Sequence, residues 1–233
     1  LTFGSRCRSG KGWVSRALSA VHELTARACA WMGAARGVCS LLETLSARRL
    51  RGPGSLTATG EPVIFGQCLN KGVDPAVLEQ IEESLRTAFP PALRELFRRA
   101  DGQRKGTPGV LVVPKNRTVE FLSVKQAKDL VLHWREQAEH PIHQKWWKKS
   151  RYDPAWLPVG YARKAGVALC ISTRVGRVLR FTTPDADISH TSQPVQHLAE
   201  SLEDYLSDLD DHFRGARQPF VIAKSAANPA AGL

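Results

Sequence analysis

Nowhere in the 233 residues do about 18 apolar side chains follow one another, so no membrane-spanning helix is expected. The longest apolar runs are short, such as GVLVV at 109–113. No C-x-x-C pair occurs. The five cysteines (Cys7, Cys29, Cys39, Cys68 and Cys170) are odd in number and irregularly spaced. That argues against a disulfide framework or a structural zinc site and favours a reducing compartment, so a cytoplasmic location is expected. Neither a G-x-S-x-G elbow nor an H-E-x-x-H pair is present. GSRCRSGKG at 4–12 is a poor phosphate loop, because Gly12 stands where a hydroxyl residue is needed and no strand precedes it. His140 and His143 are three apart, with His133 upstream, but Pro141 interrupts the helix that would align them. A metal site needs three or four ligands, so these read as solvated or capping histidines. Cys170 lies in an apolar strand pattern and reads as a small core residue. No catalytic, cofactor-binding or metal-binding residue is expected, and the chain is read as a non-enzyme.

Charge of one sign is missing from one stretch. Residues 181–213 contain eight acids and no Lys or Arg, in a chain whose net charge is +11. Residues 1–70 hold nine Lys/Arg against three acids. This dipolar layout suits a protein partner of mixed charge better than a uniform phosphate backbone.

Residues 1–60 are Arg-, Ala-, Ser- and Gly-rich and poor in acids. They read as a basic extension, helical or disordered, with amphipathic stretches at 13–31 and 38–50. An organelle leader has the same composition, as does translated sequence upstream of a start at Met32. RGPGSLTATGEP at 51–62 is a linker by composition, and the linker is taken to run on over 61–72. The main domain is placed at 73–213 and a flexible tail at 214–233.

Within the domain, Asp74-Pro75 starts a helix with the stripe Val77, Leu78, Ile81 and Leu85. Pro90-Pro91 breaks it. A second helix carries Leu93, Leu96, Phe97 and Ala100, with Gly102 as its stop. GVLVVP and TVEFL read as paired strands. Ser123 and Gln126 form a capping box before a helix with the stripe Val124, Ala127, Val131 and Trp134. VALCIS and RVLRFT read as a hairpin across TRVG. The periodicity Val195, Leu198, Ala199, Leu202, Tyr205, Leu206, Leu209 and Phe213 predicts one helix of about five turns. Its outer face would carry Glu200, Glu203, Asp204, Asp208, Asp210 and Asp211. The fold class is α+β, a mainly antiparallel sheet of four to six strands packed with helices, in which WLPVG adds a short edge piece.

HQKWWKKSRYDPAW, at 143–156, interleaves four basic residues with four aromatics. Three uses stay open: core packing, anchors of a protein interface, or stacking on single-stranded nucleic acid. Trp146, Trp147 and Lys148 are the candidates for the second use.

Taken in order, these pieces resemble the SUKH superfamily, the Smi/Knr-type domains. FPPALRELFRRADG resembles that family's opening motif, through Pro90, Leu93, Leu96, Asp101 and Gly102. YDPAWLPVG resembles its aromatic-proline hallmark, through Trp156 and Pro158, which read as a packing corner. VALCISTRVGRVLRF matches the following strand, glycine turn and strand. It lacks the acid often found at the end of the first strand, where Ile171-Ser172-Thr173 stands. The resemblance implies an α+β binding module without catalysis, an immunity or regulatory protein that occludes a partner such as a toxin or nuclease domain. A basic substrate groove on such a partner would meet Glu200, Glu203, Asp204, Asp208 and Asp211. The competing reading is a nucleic-acid binder that uses the basic leader and the Trp/Lys-rich segment 145–151. A hydrolase with a dispersed site is the third.

Overall fold

Among the described residues, six antiparallel strands follow one another in chain order across one sheet, β1-β2-β3-β4-β5-β6. They are β1 (Leu111–Val113), β2 (Arg117–Phe121), β3 (Trp156–Ala162), β4 (Val167–Ser172), β5 (Val178–Thr182) and β6 (Val195–Ala199). The computed structural model describes residues 33–50, 60–114, 117–184 and 194–215. Helix α1 covers residues 33–46. It is followed by α2 (Pro75–Leu85), α3 (Pro91–Arg99), α4 (Val124–Glu139), α5 (Gln144–Ser150) and α6 (Leu202–Arg214). The α+β class expected from the sequence is the one that forms. The predicted helix at 13–31, the phosphate-loop-like stretch and the tail beyond Gly215 lie outside the described residues.

Local chemistry explains most boundaries. The Asp74 carboxylate accepts the Ala76 N–H at 2.8 Å and so starts α2. Ser123 and Gln126 make both halves of the capping box of α4. Asp101 adds a second cap, accepting the Val124 N–H at 2.7 Å. Gly102 sits at φ 74°, and a Cβ there would lie 2.4 Å from the Ser123 nitrogen. The left-handed turn and the close approach both require glycine.

Two predicted elements change. WLPVG is not an edge piece: it lies in β3, between β2 and β4. Proline is tolerated there because β2 ends at Phe121, level with Gly160, so Pro158 has a strand neighbour only in β4. A bulge between Pro158 and Gly160 then turns Val159 and Gly160 toward the same face. The long C-terminal helix is also shorter than predicted. Val195–Ala199 pairs with β5 instead, and Ser201 starts α6 by accepting the Asp204 N–H at 3.1 Å. Val195, Leu198 and Ala199 fit either period, and the unfilled edge of β5 decides between them.

Both faces of the sheet are covered. On the inner face Phe121, Leu157, Leu169 and Val178 join one large core with α1, α2, α3, α6 and the start of α4. On the outer face Ala168, Cys170, Leu179 and Phe181 meet Trp134 and Trp147. The segment expected as a linker, 61–72, contains a short 3-10 turn at Phe65–Cys68. Phe65 and Cys68 are each 1% exposed and belong to the large core, together with Val38, Leu42 and Leu45 of α1. Arg48, just beyond α1, ion-pairs with Asp210 of α6 at 2.5 Å. Residues 33–50 and 60–72 therefore form part of the packed body.

Candidate interaction surfaces

The aromatic stretch divides between interior and surface. Trp147 is 3% exposed, against 53% for Trp146. Helix α5 presents one tryptophan inward and its neighbour outward, as a helical step of about 100° requires. Trp147 is therefore a core residue, which corrects its reading as a partner-binding candidate. Its ring lies 5.0 Å from Tyr152 and 6.2 Å from Trp134. Trp134 itself meets Phe181 at 5.4 Å, edge-on. Trp156, half-buried at the start of β3, leans on Phe181 at 5.6 Å. Arg135 fastens this corner to α2, donating to the Leu85 and Pro154 carbonyls at 3.0 and 2.9 Å. Burial pushes the Tyr152 phenol and the Cys170 thiol well above their ordinary values. Both stay protonated at neutral pH, which suits filling rather than nucleophilic chemistry.

Trp146 and Ile142, four residues apart, remain outside the core, with Ile142 73% exposed. Lys145, Lys148, Lys149 and Arg151 are exposed around them. Among the described residues none of these four cations has an ion-pair partner. His140 and His143 stack at 5.2 Å, and His140 Nδ1 accepts the Ile142 N–H at 3.3 Å. No group of three or more His, Cys, Asp or Glu that could hold a metal occurs among the described residues.

The acidic face of α6 is less uniform than its sequence. Asp210, predicted on the outer face, is instead 5% exposed, held by Arg48 and by Arg214 at 2.6 Å. Glu200 is engaged by Arg177 at 2.8 Å. Glu203 lies beside Gly37 of α1, whose added Cβ would stand 3.2 Å from Glu203 Cγ. Asp204 is exposed, and Asp208 and Asp211 are half-buried. The spacing of these acids carries no sign of the difference, because the docking of α1 is what covers one side of the helix.

The residues of the two family-like motifs hold the frame. Leu93 and Leu96 are buried in the large core, and Pro90 is the cap of α3. Glu82 of α2 accepts the Phe89 N–H at 2.5 Å and pairs with Arg94, fixing the α2–α3 elbow. Burial raises the Asp101 carboxyl above its usual value, while its hydrogen bond from Val124 acts the other way. At the end of β4, where the acid is missing, Thr173 Oγ1 donates to the Ala155 carbonyl at 2.8 Å.

The arrangement of elements and motifs has a counterpart. The model of the SMI1 / KNR4 family (SUKH-1) matches residues 72–208. The chain belongs to the SMI1 / KNR4 family. No curated protein matches it. The matched region of this SUKH-1 domain begins after α1 and the Phe65–Cys68 turn, although both pack into the same core. No helix among the described residues is long and apolar enough to cross a membrane.

Proposed function

We propose that this SUKH-1 protein is a non-enzymatic binding module that acts by covering a functional site on a partner protein. The observation that carries this reading is the outward Ile142–Trp146 pair beside the buried Trp147. Large apolar side chains left mostly in water cost solvation, and among the described residues neither belongs to the two core clusters. Tryptophan flanked by cations is the usual composition of an interface anchor. An immunity or regulatory role, with a toxin or nuclease domain as partner, is what family membership adds to this. The acidic residues of α6 are the surface that a basic partner would meet, with Asp204 its most open member.

The test is calorimetric titration of a purified cognate partner, sought first among the products of neighbouring genes. Trp146→Ala is expected to weaken binding by roughly thirtyfold, the scale of an interface hot spot. Asp204→Lys combined with Asp208→Lys is expected to slow association of a basic partner and reduce its salt dependence. Wild-type affinity in both variants, or turnover of a small compound by the purified chain, would refute the proposal. The free cations around Trp146 also favour a second reading, single-stranded nucleic acid. Oligonucleotide affinity that falls steeply with salt and disappears in Trp146→Ala would establish that reading instead.

A further inference from the structure

Helix α5 carries cations where its own stability does not ask for them. No Asp or Glu stands between Glu139 and Asp153, while Lys145, Lys148, Lys149 and Arg151 do. Lys145 lies in the first turn, where the helix dipole favours an acid instead, and no acid is present there. The cap, His143, makes no side-chain hydrogen bond to the helix. Arg151 ends the helix at φ 57°, in the left-handed region where glycine is easier. What holds α5 in place is the burial of Trp147 and Ser150.

Nor does the fold compensate these charges. On α3, Arg94 holds Glu82, and Arg98 and Arg99 both hold Glu95. Around α5 no carboxylate among the described residues forms such a pair. Asp153, two residues beyond Arg151, is taken by Arg174 at 3.7 Å and by the Ala155 N–H at 2.8 Å. Four exposed cations therefore gather about the exposed Ile142 and Trp146. Cations in that position are complemented by carboxylates that a partner brings.

The same surface offers a nucleic acid little. Successive bases need successive aromatic platforms. Trp147 is buried, Tyr152 and Trp156 are half-buried against Phe181, and of the four aromatics only Trp146 stays open. Exposed Glu136 and Glu139, at the end of α4, interrupt a longer basic track. One open indole, one aliphatic side chain and four cations fit a short protein segment better.

Resting on the reading of Ile142 and Trp146 as an anchor, we propose that the partner presents an acidic segment there. An apolar side chain of that segment packs on Ile142 and Trp146, and its Asp or Glu carboxylates meet Lys145, Lys148, Lys149 and Arg151. This surface is separate from the acids of α6. Helix α5 covers the outer face of the sheet through Trp147, whereas α6 belongs to the core on the inner face. A partner that touches both must itself carry both signs of charge.

Three fluorescent peptides of equal length are the probes, each with a central leucine flanked by glutamates, by glutamines or by lysines. Oligothymidylate of the same charge as the first is the nucleic-acid arm. Anisotropy at physiological salt is read for wild type, Trp146→Ala, and Lys145→Glu combined with Lys148→Glu. The net charge of +11 would attract any acidic peptide, so a control reversal is needed. Lys71→Glu combined with Lys105→Glu changes the charge equally. Both lysines are exposed near Asn70 and Gln103, at the start of α4, and α5 follows the far end of that helix, about 24 Å away. The glutamate peptide is expected to bind best. Its affinity should fall about tenfold or more in Trp146→Ala and in the α5 reversal, and by much less in the control. Equal falls in the two reversals, or no saturable binding of the glutamate peptide at millimolar concentration, would overturn the inference. Equal binding of the glutamate and glutamine peptides, lost in Trp146→Ala, would overturn the acidic preference and leave the anchor standing. Tighter binding of oligothymidylate, lost in the same variant, would replace the acidic segment with a nucleic acid.

Discussion

The Tyr205 hydroxyl holds both backbone polar groups of Val112, donating to its carbonyl at 3.0 Å and accepting its N–H at 3.1 Å. Val112 lies in β1, the edge of the sheet farthest along the strand order from β6, and Tyr205 lies in the helix that follows β6. One phenol therefore draws the first and last parts of the sheet together. It also occupies an edge that would otherwise offer bare backbone groups to another chain. Tyr205→Phe keeps the ring and leaves two buried backbone groups unpaired. It should cost about 1–3 kcal/mol, read as a lower denaturation midpoint with unchanged slope. The Val112 amide should exchange with solvent faster in that variant.

Alkaline pH should unfold the protein through the same residue and two others. Burial raises the Tyr205 and Tyr152 phenols and the Cys170 thiol above their ordinary values. A group whose folded value is raised gives its full stabilisation below its unfolded pKa and loses it as pH rises toward the folded value. The loss should therefore begin near pH 8.5 for the thiol and near pH 10 for the phenols, their approximate unfolded values. A Tm profile from pH 7 to 11 checks this. Cys170→Ala should flatten its first part, and a flat profile in the wild type would contradict the assignment.

The two adjacent tryptophans should behave oppositely. Trp147→Ala empties a site enclosed by Trp134, Tyr152 and Phe181 and should cost about 3–5 kcal/mol. Trp146→Ala removes an exposed side chain and should change stability by no more than about 0.5 kcal/mol. Denaturation of the two single variants in parallel measures the contrast.

Asp210→Asn should loosen α1 from the body. The amide leaves the partly exposed Arg48 and Arg214 facing a neutral group, a loss of about 1–2 kcal/mol once solvent screening of the two cations is allowed for. Limited proteolysis should then cut faster on the N-terminal side of Ile64. Deleting residues 1–50 should have a larger effect, since it uncovers Phe65 and its ring partner Phe213, 5.8 Å away. The shortened chain should aggregate.

Glycine substitutions should rank by what a Cβ would strike. At Gly102 it meets backbone at 2.4 Å, at a positive φ. At Gly160 it meets the Val119 Cγ2 methyl at 2.7 Å and the Leu111 Cδ1 methyl at 3.1 Å, and side chains can shift. Gly160→Ala should cost about 1–3 kcal/mol and Gly102→Ala more, with midpoints that fall in that order.

What the sequence determined by itself was everything that depends on near neighbours along the chain. Asp74-Pro75, the Ser123/Gln126 box and the stripes of α2, α3 and α4 each state a helix through contacts within a turn or two. The alternating runs around Gly176 state a hairpin in the same way. The ordered motifs were enough to indicate the family. What only the tertiary structure decided depends on partners far away in sequence. Val195–Ala199 becomes a strand because β5 has a free edge beside it. The WLPVG run, with Pro158 inside it, is central rather than peripheral because β2 returns to pair with β3 at Gly160. Trp147 is core and Trp146 surface because Phe181 and Trp134 lie on one side of α5. Asp210 is buried because Arg48 arrives from 162 residues away. Periodicity marks which residues can share a face, but burial, pairing and charge compensation are set by what packs against that face.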